Sequence, residues 1–188
     1  MVKRRRKRKT GIGRNTSRAA GILENMVNNL RSHGFTIFTY PKWRSLPENE
    51  LPDDYVVRNW PHDALYGTPG KKEALIVTQR SNPNGVEYIK KENITRIILE
   101  AKYQDGSGSV DEKFPYIWEA FLISDIPNWI LLYAGKFWHD TLRGKAAVKW
   151  IKDRNANPKI GEDDLLHDKT LYILNEEEFS DMIKETWR

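Results

Sequence analysis

The stretch that decides the fold is Ile94-Thr-Arg-Ile-Ile-Leu-Glu-Ala-Lys-Tyr-Gln104, the strongest strand signal in this chain of 188 residues. Successive side chains of a strand point to opposite faces of its sheet. One face has an apolar series that we assign to the core. The other face carries Arg96, Ile98, Glu100, Lys102 and Gln104. The pattern therefore places a carboxylate, an ammonium and an amide side by side at the end of a buried strand, just before a Gly/Ser-rich loop.

The pair Glu100 and Lys102 has two interpretations. Burial of both charges costs several kcal/mol unless they pair with each other or with another charge. On an ordinary surface strand they would form a solvated ion pair. The apolar residues that precede them favour the buried arrangement.

A second carboxylate opens the preceding strand, which we predict over 73–78 because Glu73 is followed by Ala-Leu-Ile-Val-Thr. If the two strands are neighbours, Glu73 can meet Glu100. Two converging carboxylates without histidine or cysteine suit a hard cation such as Mg²⁺ or Mn²⁺. Such an ion can polarise a phosphoryl oxygen and lower the pKa of a bound water. Lys102 could then orient the attacking water or stabilise developing negative charge.

The remaining pattern predicts a mixed β-sheet flanked by helices in one α/β domain. Residues 41–70, with five prolines, form a long excursion that includes a short strand near 55–58. We expect Trp43 and Trp60 to pack beneath this excursion, the alternative being a DNA-facing surface. The other predicted segments are helices over 15–33, 110–123, 140–154 and 176–187, and extended segments at 35–40, 86–89, 128–134 and 170–174.

The charge is concentrated at the amino terminus. The chain has 31 basic and 26 acidic residues, and seven of the basic ones fall within residues 3–9, so that 24 remain against 26 elsewhere. We predict a disordered basic arm over 1–14 and a single folded domain over 15–188. A polyanion would attract this arm. The expected nucleic-acid contacts are Arg4, Arg5, Arg6, Lys7, Arg8 and Lys9.

Composition excludes several classes of site. The chain has no cysteine, so disulfides, thiolate zinc sites and cysteine nucleophiles are ruled out, and its four histidines are far apart in sequence. No stretch approaches ~20 consecutive apolar residues, and no apolar segment follows the basic start. We therefore expect no membrane partner and a cytoplasmic protein of a bacterial or phage-infected cell.

The motif resembles a known family. Strand-borne Glu100-Ala101-Lys102, with an acidic residue opening another strand, is similar to the PD-(D/E)XK nuclease superfamily, the fold of many type II restriction endonucleases. The longer string from Ile98 to Gln104, followed by Gly106-Ser-Gly-Ser-Val-Asp-Glu-Lys113, resembles a subset of restriction-endonuclease-like proteins. The resemblance covers roughly residues 16–138.

The resemblance implies a restriction-endonuclease-like central mixed β-sheet flanked by helices. It makes Glu73 the first acidic residue, Glu100 the second and Lys102 the lysine, with the backbone carbonyl of Ala101 as a further metal ligand. The usual aspartate is absent at the first position, and Asp63 is the competing candidate. We favour Glu73 because an apolar strand follows it directly, whereas the residues after Asp63 are typical of a loop.

Four residues carry weaker predictions. Glu24 lies on the first helix, where some family members place a glutamate near the metal, but it could equally be a surface residue. Gln104 shares the face of Glu100 and is either a catalytic-site or a structural hydrogen-bonding group. Ser107 could donate to a phosphate. Lys113 could contact the DNA backbone or be a solvated helix charge.

We therefore predict an enzyme, a Mg²⁺-dependent endonuclease that hydrolyses double-stranded DNA, with Mn²⁺ able to substitute. A sequence-specific, type II restriction-like activity is the first choice, and a twofold homodimer is expected if the target is symmetric. The alternatives are a structure-selective or homing-type phage nuclease of the same fold, and a non-catalytic DNA-binding protein with a basic arm. No RNA-recognition signature is present.

Overall fold

The computed structural model of the protein describes residues 11–61, 73–79, 95–106, 113–159 and 161–187. Within these ranges no helix is long and apolar enough to cross a membrane. The strands are β1 (Thr36–Thr39), β2 (Tyr55–Arg58), β3 (Glu73–Thr78), β4 (Thr95–Tyr103), β5 (Asn128–Ala134) and β6 (Thr170–Leu174). The helices are α1 (Gly11–Ser32), α2 (Tyr40–Arg44), α3 (Lys113–Ile123), α4 (Lys136–Asp140), α5 (Leu142–Ala156), α6 (Asp163–Leu166) and α7 (Glu176–Thr186).

The six strands form one sheet in sequence order, β1-β2-β3-β4-β5-β6. Strands β2, β3 and β4 pair antiparallel, whereas β1 pairs with β2, β4 with β5, and β5 with β6 in parallel. This confirms the predicted mixed sheet flanked by helices. The predicted partner segment at 86–89 lies outside the described residues.

Helices cover both faces of the sheet. Helices α1 and α7 pack on one face, the α1–α7 layer, which buries Val56, Ala74 and Leu99. Helices α3, α4 and α5 pack on the other, the α3–α5 layer, which buries Leu75, Ile98 and other apolar residues. The apolar face of β4 that we assigned to the core, with Ile97, Leu99 and Ala101, lies under the α1–α7 layer, and its other face is buried as well. Parallel crossover connections place helices on both faces of a sheet, so β4 is buried on both sides before its polar end.

Several helix boundaries differ from the predictions. Helix α1 begins at Gly11, four residues before the predicted start at Asn15. The predicted helix over 140–154 is α5, and it is preceded by the separate helix α4. Thr141 lies between the two helices and caps the start of α5. Its hydroxyl oxygen accepts a hydrogen bond from the Gly144 N–H at 2.9 Å. The excursion after β1 also contains the short helix α2. The sequence did not predict this helix, because prolines are typical of an irregular segment.

The turn between β5 and α4 holds the end of β4. The Gln104 N–H donates to the Ala134 carbonyl at 3.0 Å, and the Phe137 N–H donates to the Gln104 carbonyl at 3.1 Å. Between these two bonds lies Gly135, with a φ of 102°. A Cβ at Gly135 would lie 2.3 Å from the Gln104 carbonyl oxygen. Only glycine fits both this backbone conformation and this close approach.

We predict that Gly135→Ala lowers the free energy of unfolding by roughly 2–3 kcal/mol, because it adds backbone strain and a steric clash at the end of β4. The matched control is Gly21→Ala in α1, where a Cβ meets nothing within 4 Å. That change should raise stability by about 0.5–1 kcal/mol. Urea unfolding of the two variants would contradict the prediction if both shifted stability in the same direction.

Candidate active site

The strand register brings two glutamates together. In the antiparallel pairing of β3 with β4, Glu73 lies directly opposite Glu100. Opposite residues point to the same face, with Cβ atoms about 4.5–5.5 Å apart. Here that face is the one covered by the α3–α5 layer, because Leu75 and Ile98 on the same side of their strands lie in its cluster. The two strands are neighbours, which is the condition under which the sequence allows Glu73 to meet Glu100.

Burial makes the Glu100 carboxylate dependent on a counter-charge. Glu100 is 3% exposed, and Glu73 is half-buried. The ammonium of Lys102 pairs with the Glu100 carboxylate, and the Lys102 side chain is only 15% exposed. A buried carboxylate that lost such a partner would be strongly destabilising. Two carboxylates therefore share one corner of the sheet with a lysine.

The donor set fits a hard divalent cation. Carboxylate oxygens are the protein ligands that Mg²⁺ and Mn²⁺ prefer. No cluster of three or more histidine, aspartate or glutamate residues suited to a metal occurs within the described ranges. An ion at Glu73 and Glu100 would therefore take its other ligands from backbone carbonyls, water or substrate, as is usual for Mg²⁺.

An aromatic cluster borders the site on the β2 side. The Trp60 backbone N–H donates to the Glu73 carbonyl at 3.2 Å, which ties the end of β2 to the start of β3. The ring of Trp60 lies 5.2 Å from that of Trp43 and 5.6 Å from that of Tyr40. These three side chains pack against the α3–α5 layer. The expectation that Trp43 and Trp60 pack beneath the excursion is confirmed.

A cationic edge borders the site on the β5 side. Tyr133 of β5 lies in register with Lys102 of β4. The His139 ring lies 5.6 Å from the Tyr133 ring, and the Lys152 ammonium lies 5.8 Å from its centre. Burial raises the pKa of Tyr133, helped by the Glu178 carboxylate. The sequence pattern alone does not bring Tyr133, His139 and Lys152 together, because α4 and α5 reach β5 only through tertiary packing.

On the opposite face, Asp105 ties two elements, α1 and α4, to the end of β4. Its carboxylate forms an ion pair with Arg18 of α1 and accepts a hydrogen bond from the Lys136 N–H at 3.4 Å. Arg18 also donates to the Tyr103 hydroxyl at 2.9 Å. The hydrogen bond from Tyr103, supported by the Lys136 N–H and Arg18, lowers the pKa of Asp105, while burial raises the pKa of Tyr103.

The structure gives Gln104 and Glu24 specific partners. Gln104 is buried, and its side-chain amide donates to the Gly106 carbonyl, which supports the start of the following loop. Glu24 forms an ion pair with Arg58. Arg58 shares the strand face of Val56, which belongs to the α1–α7 layer. The sheet therefore separates Glu24 from Glu100.

Of the other candidate residues, only Lys113 lies within the described ranges. Lys113 begins α3 and is half-buried. Asp63, Ser107 and the basic residues 4–9 lie outside the described residues. The choice between Glu73 and Asp63 as first acidic ligand therefore stays a prediction, favoured for Glu73 by its register with Glu100.

Glu73, Glu100 and Lys102 thus lie together where β3 begins and β4 ends. A family model described as a PD-(D/E)XK nuclease superfamily domain matches residues 15–187. The chain belongs to the PD-(D/E)XK nuclease superfamily, as the motif resemblance indicated. No curated protein and no solved structure matches it.

We predict that Lys102→Met lowers the free energy of unfolding by about 3 kcal/mol, because it removes the ammonium that pairs with the buried Glu100 carboxylate. Glu100→Gln in the same chain should recover much of this loss. A double-mutant cycle by urea unfolding measures the coupling. Additive effects of the two substitutions would show that the pair does not stabilise the fold.

The lowered pKa of Asp105 predicts a pH-dependent contribution to stability. The unfolded chain binds a proton near pH 4, and the folded chain binds it only at lower pH. The contribution is therefore present above about pH 4 and is lost as pH falls through the folded pKa. Wild type should be more stable than Asp105→Asn at pH 7, and the difference should shrink towards pH 3. A difference in unfolding free energy that stays constant over this range would contradict the assignment.

Proposed function

We propose that this protein is a Mg²⁺-dependent endonuclease that hydrolyses phosphodiester bonds of double-stranded DNA. The observation that carries the proposal is the register of Glu73 with Glu100, on the face that also holds Lys102. Membership of a nuclease superfamily supports the reaction class. A DNA-binding protein without catalytic function would leave this buried charged corner unexplained.

Glu73 and Glu100 are the proposed carboxylate ligands, with the backbone carbonyl of Ala101 as a further oxygen ligand. Mn²⁺ should substitute, because it takes the same oxygen ligands. When bound, the divalent ion would supply Lewis acidity, lowering the pKa of a water and offsetting charge on the phosphoryl group. The near-complete burial of Glu100 strengthens every electrostatic interaction at this corner.

Lys102 is the proposed positioning and charge-stabilising group. Its ammonium carries three N–H donors, one of which the Glu100 ion pair uses. The other donors can hold a non-bridging phosphate oxygen or the attacking water. Water attacks phosphorus, the bond from phosphorus to the leaving oxygen breaks, and that oxygen takes up a proton. Gln104 would support the site by holding the loop that follows it.

The substrate contacts assigned to Ser107, Lys113 and residues 4–9 are part of the proposal. The Arg18–Asp105 ion pair attaches α1 next to the end of β4. Gly11, where α1 begins, is seven residues from Arg18, or about 10 Å along a helix. This short distance supports a contact between the basic run and the nucleic acid held at the site.

We further propose a restriction-type, sequence-specific activity in a cytoplasmic protein. Symmetric DNA targets are matched most simply by twofold protein symmetry. Cutting of both strands at one symmetric site would then require a homodimer, which sedimentation on the target duplex can test.

The test uses supercoiled plasmid and long linear DNA with Mg²⁺, Mn²⁺ or EDTA. Wild type should cut in either metal and not in EDTA. Glu73→Gln, Glu100→Gln and Lys102→Met should each lower the cleavage rate by at least about 100-fold. Glu185→Gln, an exposed glutamate of α7, is the matched control and should cut like wild type. Asp63→Asn distinguishes the two candidates for the first acidic ligand.

The products separate the alternatives. Discrete bands indicate sequence-specific cutting, and cutting confined to cruciforms or branched DNA indicates the structure-selective alternative. Cleavage of RNA alone would replace the proposed substrate. Binding of DNA without metal-dependent cutting would reject the enzyme in favour of a non-catalytic binding protein.

A further inference from the structure

The charge of the folded part is unevenly distributed. Outside residues 3–9 the chain has 24 basic and 26 acidic residues. Residues 136–154, which include α4 and most of α5, nevertheless hold six basic and two acidic residues. This segment is therefore a local positive surface on a body that is otherwise acidic, and such a surface attracts polyanions.

Helix α5 displays lysines along one exposed stripe. Lys145, Lys149 and Lys152 follow a spacing of four and then three residues, which places them on one helix face. All three are exposed, whereas Gly144 and Ile151 are buried on a different side of the helix. The stripe spans about 10 Å at a rise of 1.5 Å per residue.

The acidic neighbours of the stripe form only exposed ion pairs with its lysines. Asp153 pairs with Lys149, and both side chains are more than half exposed. Glu178 lies 3.8 Å from the Lys152 ammonium, again with both side chains well exposed, and its carboxylate keeps a separate hydrogen bond from the Asn175 N–H at 2.6 Å. Exposed pairs of this kind contribute little to stability. Lys145 has no ion pair within the described part of the chain. A row of phosphates could therefore displace these carboxylates at small cost.

The stripe leads to the candidate active site. Lys152 and His139 both lie against Tyr133, and Tyr133 is in register with Lys102. Neighbouring strands are about 4.8 Å apart. Lys152 therefore lies over β5, the strand next to the one that carries Lys102, and His139 contacts the same tyrosine. We call His139, Lys145, Lys149 and Lys152 the α5 shelf.

We propose that the α5 shelf binds the phosphate backbone of the nucleic acid on the β5 side of the active site. The inference rests on the proposed nuclease function and adds the path of the substrate to it. The ligand class is an extended phosphate backbone, here that of the duplex in the proposed function, because a stripe of about 10 Å exceeds a single phosphate, while each strand of B-DNA carries a phosphate every 3.4 Å of axis. The shelf supplies affinity without reading sequence, as phosphate contacts do.

The test is the salt dependence of binding. A labelled 40-bp duplex is titrated with the full chain in EDTA, between 50 and 200 mM KCl. The double variant Lys145→Gln/Lys149→Gln should bind about tenfold more weakly at 100 mM. Its slope of log K against log salt should be smaller by about 1.8, because two phosphate contacts are lost. In cleavage with Mg²⁺ the same variant should raise KM and leave kcat unchanged.

The control removes two positive charges from elsewhere. Arg31→Gln/Lys184→Gln changes one cation hydrogen-bonded to Asn28 and one paired with Asp181, at the ends of α1 and α7. The control should keep the wild-type slope and KM. Equal slopes for both double variants would overturn the shelf, and cutting by wild type in the same experiment would leave the nuclease proposal standing. A wild-type chain that neither binds duplex nor cuts it would reject both.

Discussion

The candidate site depends on one backbone constraint, the antiparallel register that sets Glu73 opposite Glu100. A slip of one residue would turn the side chains of β3 to the other face and place Ala74 beside Glu100. The burial of β3 and β4 on both faces prevents such a slip, because Leu75 and Ile76 fill different cores. The hydrophobic pattern that folds the sheet therefore also aligns the two carboxylates.

The same constraint requires local support at the end of β4, where the apolar pattern stops. There the strand is held by hydrogen bonds between Gln104 and the β5–α4 turn, which only Gly135 permits. On the other face Asp105 ties it to Arg18 and the Lys136 N–H. At this end of β4, directed polar bonds take the place of hydrophobic packing. The strand therefore stays ordered although the buried Glu100–Lys102 pair lies at the edge of the core.

Much of this arrangement could be predicted from local sequence. The alternation in β4 and the apolar run of β5 are strong periodic signals, and Glu73 stands directly before a clear strand. The missing parts depend on contacts between distant segments. Arg18 meets Asp105 across 87 residues, and Lys152 reaches Tyr133 only because α5 folds back over the sheet. Glu24 could not be placed either, since helical periodicity fixes the side of a helix that is buried but not the sheet face it covers.

The distribution of charge separates two physical tasks. Buried charges act at short range in a medium that screens them little, so Glu100 and Lys102 are suited to oriented chemistry on one phosphate. Exposed lysines act over about 10 Å through a salt-screened field, which suits capture of a long polyanion. The positive charge is concentrated near the amino terminus and along α5, and the rest of the chain is acidic. This distribution restricts where such a polymer can bind. In our proposal the chain thus gains affinity from surfaces outside the site, while the carboxylates, which would repel phosphate on their own, remain at its centre.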